Sequence, residues 1–244
     1  MRPTPVPAPS DLLDCLEPAT ARAAALFNRT FREVEQGPVQ PPAIPAEIRQ
    51  HFAGSLGEEG VGLAGLVAEL EEEVFPRSIR IANPMYAGLV QSSPLPGAAL
   101  ADSLISAINN NAGATHQGPA ATACEEEAVR ALAGMLGLGA PWDGLFLAGG
   151  TFATLQGLLL ARDHAFPDAL PAEARLYTSE AAHFSVARAA HITGLPTRAV
   201  VAVPTVGRGQ IDVAQLRGRI KRDREAGLKP YAVAVTFGTT GTGA

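Results

Sequence analysis

Three short runs in this chain carry residue types that suit binding chemistry. Gly149-Gly150-Thr151 sets two residues without side chains ahead of a hydroxyl. At a helix start, such a run exposes free backbone N–H groups and the positive end of the helix dipole, which together suit a phosphate. The same run also reads as a tight turn with Thr151 as helix cap, and both readings stand at this point. It is neither a nucleotide P-loop nor a dinucleotide fingerprint, because no Gly-Lys-Ser/Thr follows and the G-x-G-x-x-G spacing is absent. The second run, Ser179 to Ser185, holds His183, whose flat ring can stack on an aromatic ligand; a surface or capping histidine is the plainer alternative. Phe237-Gly238-Thr239-Thr240-Gly241 is the third, a turn offering small hydroxyl donors.

These runs share a place in the predicted order of elements. Residues 144–148, 175–178, 198–203 and 231–236 read as four apolar strands, alternating with helices over 152–165, about 181–193 and from the Asp212 cap to Gly227. That alternation predicts an α/β domain with a largely parallel sheet. The three runs then fall just beyond the carboxyl ends of the first, second and fourth strands, where open α/β sheets bind ligands. Upstream, helices are expected from an N-cap at Ser10 to about residue 36, at 45–56, and at 61–75 ending at Pro76. Two more follow, through Leu100, Leu104 and Ile108, and over 121–137.

Composition narrows the function classes. With 47% apolar and 18% charged residues the chain can build a core, and its net charge of −5 gives no reason to expect nucleic acid or an anionic membrane as partner. There is no apolar run of membrane-spanning length, and MRPTPVPAPSD has no secretory core. Cys15 and Cys124 show no metal-ligand spacing, so no metal is expected, and their scarcity suits a cytoplasmic protein. Of the 19 basic residues only Lys221 and Lys229 are lysine.

Taken in order, the three runs resemble the group II pyridoxal-phosphate-dependent amino-acid decarboxylases. Gly144 to Arg162 resembles the family's phosphate turn and following helix, Ser179 to Gly194 its Ser-x-x-x-His-x-Ser helix, and Gly238-Thr239-Thr240 its Gly-Thr-Thr turn. Asn83-Pro84-Met85-Tyr86 resembles the His-Pro-x-Phe/Tyr segment, with Asn83 in place of the usual histidine, and Leu100 to Asn111 the helix leading to the substrate mouth. Ala153 departs from the asparagine common near the phosphate turn.

The resemblance implies a fold-type-I large domain over 80–244 behind a helical segment over 1–79. It implies pyridoxal 5′-phosphate held by Gly149, Gly150, Thr151, His183 and Thr240, with His183 stacked on the ring as the catalytic histidine. Gln91, Ser92 and Asn110 would stand near the mouth that receives an L-amino acid, and the assembly would be a homodimer. In the family the lysine that forms a Schiff base with the cofactor lies beyond the Gly-Thr-Thr turn. Lys221 and Lys229 are expected away from the crevice, so these residues alone read as an inactive N-terminal fragment of such an enzyme. Another fold-type-I enzyme, an aminotransferase or carbon–sulfur lyase, and a non-catalytic dimerisation module are the alternatives.

Overall fold

Strand β1 (Ala174–Ser179) explains how the second half of the chain folds. Its burial is nearly continuous, as expected for a central parallel strand covered on both faces. β1 pairs in parallel with β2 (Val200–Val203) on one side and β5 (Lys229–Ala234) on the other, giving the order β2-β1-β5. Alternation along β1 sends neighbouring side chains to opposite faces. Leu176 joins a core with Leu158 of α6 (Gly150–Ala165) and Val186, Ala189 and Ala190 of α7 (Ser185–Ile192). Tyr177 faces the other way, and its hydroxyl donates to Asp223 of α8 (Val213–Glu225). A small antiparallel hairpin, β3 (Thr205–Val206) and β4 (Gln210–Ile211), sits between β2 and α8.

In this computed structural model, residues 9–40, 45–54, 60–89, 91–139 and 142–244 are described. The chain divides into two compact units, Met1–Asn109 and Asn110–Ala244. The first is helical: α1 (Pro9–Arg32), α2 (Pro45–Phe52), α3 (Gly62–Glu69) and α4 (Pro96–Ile108). α3 runs on through a π-turn at Leu70–Val74 and a 3₁₀ turn at Phe75–Arg77. Glu71 on the π-turn pairs with Arg22 and Arg29, both on α1, at 2.8 and 2.7 Å. The second unit opens with α5 (Pro119–Met135).

Several sequence expectations need correction. Residues 144–148 are not a strand: the segment is irregular, with Leu145, Phe146 and Leu147 exposed. A strand exists only through its partner, and among the described residues no neighbour offers this segment a ladder. Ser10 lies inside α1, which begins at Pro9 and ends at Arg32, short of residue 36. The third helix passes Pro76, because proline is tolerated in the first turn of the 3₁₀ segment. α7 starts at Ser185 rather than 181, since residues 180–184 form a turn. The hairpin was not expected; its strands are two residues long, too short for a periodic signal.

Candidate functional site

Gly149 has φ +99°, a backbone conformation that side-chain-bearing residues rarely adopt, and so lets the irregular segment turn sharply into α6. Its own N–H is used locally, donating to the Leu147 carbonyl at 2.7 Å. Among the described residues no side chain caps the helix, and none crowds the space where a Cβ would stand at Gly149 or Gly150. The first-turn amides and the exposed Thr151 hydroxyl therefore form an uncapped N-terminus on a 16-residue helix. Thr154, one turn on, spends its hydroxyl on the Gly150 carbonyl at 2.8 Å. An anion with several acceptor oxygens fits this cradle.

His183 lies in the turn after β1, half-buried, with its ring 4.1 Å from that of Phe184. The Arg188 guanidinium covers the Phe184 ring at 5.1 Å. Nδ1 of His183 lies 2.9 Å from the Ser185 hydroxyl and accepts the Ser185 backbone N–H at 3.2 Å. The preceding Glu180 carboxylate accepts from both the backbone N–H and the hydroxyl of Thr205, each at 2.9 Å. Those bonds hold its carboxyl below the ordinary value of 4.5, the backbone one contributing most.

The turn after β5 separates two adjacent threonines. Thr239 is buried; its hydroxyl sits 2.6 Å from that of Thr242 and accepts the N–H groups of Thr242 and Ala244. Thr240 is exposed, and no internal hydrogen bond engages its hydroxyl among the described residues. Ser179 at the end of β1 and Thr239 line one cleft of about 460 Å³, with Val235, Phe237 and the tip of the hairpin.

The expected mouth residues lie in different units. Gln91 and Ser92 line a cleft of about 630 Å³ in the first unit, beside Leu26, Phe31, Ile79 and Arg80. Asn110 opens the second unit, exposed, after Asn109 ends α4 in the left-handed conformation. Asn83 turns out to be buried: its amide donates to the Val34 carbonyl at 3.0 Å and its Oδ1 accepts the Met85 N–H at 2.9 Å. Sequence reasoning missed this role and that of Glu180; the Asn-Pro pair was the available signal for the first. Lys221 sits on α8, and Lys229 opens β5 at the end opposite the Gly-Thr-Thr turn. Among the described residues no cluster of His, Cys, Asp or Glu has metal-binding geometry, and no helix is long and apolar enough to cross a membrane.

Known proteins align with most of this chain. Residues 58–244 match the family model of the pyridoxal-dependent decarboxylase conserved domain. A glutamate decarboxylase-like protein of Gibberella zeae is 28% identical over 241 residues, covering 96% of this chain and 45% of its own. An L-2,4-diaminobutyrate decarboxylase of Rhizobium meliloti is 30% identical over 232 residues, covering 95% and 44%. Among solved structures, a glutamate decarboxylase domain from Vibrio parahaemolyticus superimposes with a TM-score of 0.83 at 26% identity, over 93% of this chain and 52% of that one. An Oryza sativa structure, TDC with PLP and tryptamine, gives 0.84 at 25%, over 97% and 53%. The chain thus spans a little under half the length of these curated relatives. The two curated relatives named here are a decarboxylase-like protein and a decarboxylase.

Proposed function

Because this chain belongs to the pyridoxal-dependent decarboxylase family, with a fold-type-I large domain, we propose that it supplies the cofactor-holding half of an L-amino-acid decarboxylase. The observation that carries this reading is the uncapped N-terminus of α6, where the Gly149 turn leaves the Gly150 and Thr151 amides and the Thr151 hydroxyl to face a phosphate. Pyridoxal 5′-phosphate fits that cradle by its dianionic phosphate, and when bound it supplies an electron-accepting ring for the pair left by departing carbon dioxide.

The chain's own residues have separate tasks in this reading. Gly149 bends the backbone so that the α6 amides face the phosphate, and Thr151 adds a hydroxyl donor. His183 would offer the flat face of its ring to the cofactor, and Thr240 would contribute its exposed hydroxyl from the turn after β5. Gln91, Ser92 and Asn110 take part in receiving the substrate, an L-amino acid. Residues 80–244 form the cofactor-binding portion and 1–79 a helical arm. The protein works as a cytoplasmic homodimer. α4 supports the dimer, with Leu100, Leu104, Ile105 and Ile108 exposed along one face.

The covalent step is assigned to a lysine outside these 244 residues, so this chain alone binds the cofactor without decarboxylating an amino acid. Titration with pyridoxal phosphate tests the reading. Wild-type chain should bind it, and Thr151→Val should bind it roughly tenfold or more weakly, since a hydrogen bond to a charged phosphate is lost. Borohydride reduction should label neither Lys221 nor Lys229 stoichiometrically. Equal binding by both proteins, or labelling of either lysine together with carbon dioxide release, would overturn the assignment. A chain that never binds the cofactor would favour the dimerisation-module alternative.

A further inference from the structure

We propose that Ser185 is a positioning residue that fixes His183 with its ring proton on Nε2. The inference rests on the decarboxylase reading only for what that proton is offered to. Neutral imidazole has one N–H and one bare nitrogen, and the partner of either nitrogen decides which is which. Nδ1 accepts the Ser185 backbone N–H at 3.2 Å. An amide N–H can only donate, so Nδ1 is the bare nitrogen and Nε2 carries the proton. The Ser185 hydroxyl, 2.9 Å from the same Nδ1, must then donate as well. Both donors share the single in-plane lone pair of Nδ1.

Two features make this a built arrangement. Ser185 is 5% exposed, so bulk water does not compete for its hydroxyl. Its N–H is also the first of α7, a helix that begins without a side-chain cap from Phe184. The His183 ring takes the place of that cap and is thereby held at the mouth of the turn. With Nδ1 occupied, Nε2–H is the only polar edge left to the ring. His183 then offers a ligand a hydrogen-bond donor at Nε2 beside the flat face of its ring.

Nitrogen NMR of the full chain labelled at histidine reads the tautomer directly. Wild type should show a pyridine-type Nδ1 and a pyrrole-type Nε2. In Ser185→Ala the ratio of the Nε2–H form to the Nδ1–H form should fall about fivefold, the size expected for one ordinary hydrogen bond. Ser185→Thr, which keeps the hydroxyl, should restore it. If Ser185→Ala loses its protected β1 amides, Ser185→Cys, nearly the same size and a poor donor, takes its place. A wild-type ring protonated on Nδ1, or a ratio unmoved by loss of the hydroxyl, overturns the proposal. The measurement needs no cofactor. Failure of cofactor binding with the tautomer confirmed would therefore sink the decarboxylase reading alone, and the reverse outcome would sink this one alone.

Discussion

Tyr177 shows how much a single hydroxyl can contribute. It is fully buried in β1 and donates to the Asp223 carboxylate. Tyr177→Phe should cost about 1.5 kcal/mol, the lower end for a bond to a charged group because Asp223 is only half-buried. Urea unfolding at neutral pH checks the value. Burial first, then the Asp223 bond and charge, push the Tyr177 hydroxyl well above its ordinary 10.0. A raised folded pKa means that its stabilisation is whole below the unfolded value and is lost as pH climbs above it. Between about pH 9 and 11 wild type should therefore lose stability faster than Tyr177→Phe. At this scale the sequence was partly legible. His183 and Thr240 were visible as chemical types, but the sorting of Thr239 inward and Thr240 outward depends on how the turn closes, which spacing does not encode.

Elements were legible where their ends carry their own signals. Asp212 was read as a cap, and its carboxylate accepts the Gln215 N–H at 2.9 Å. Asp212→Ala should destabilise by about 1 kcal/mol in thermal or urea melts. Residues 144–148 were misread because strand formation depends on a neighbour, whereas a helix satisfies its own backbone. The π-turn was invisible for a similar reason: it is stabilised by Glu71 reaching back to Arg22 and Arg29. The bond from Arg29 and then that from Arg22 hold the Glu71 carboxyl below the usual 4.5. A lowered folded pKa contributes stability above the unfolded value and loses it as pH falls through the folded one. The helical unit should accordingly loosen below about pH 4.5, and Glu71→Gln should remove part of that acid response, as followed by circular dichroism.

For the whole molecule, the parallel arrangement of β1, β2 and β5 was legible from alternation, since it follows from local periodicity, whereas the expected first strand over 144–148 is not part of the sheet. The hairpin was not legible. Assembly is the remaining question at this scale. Leu104 and Ile105 are 60% and 61% exposed on α4, so replacing both with glutamate should leave the fold intact while abolishing self-association in sedimentation. The order of the strands has a consequence for how the chain is made. β1 is synthesised first yet lies in the middle, with Leu176 opposite Val200 on one side and Ala232 on the other. On the ribosome, β2 arrives soon after β1, but the second edge of β1 stays bare until the hairpin and α8 have been translated. During that interval an unpaired row of N–H and C=O groups stays exposed, open to a chaperone or to a neighbouring nascent chain. Slow codons between Pro204 and Gly227 would lengthen that window, and fast ones would close it.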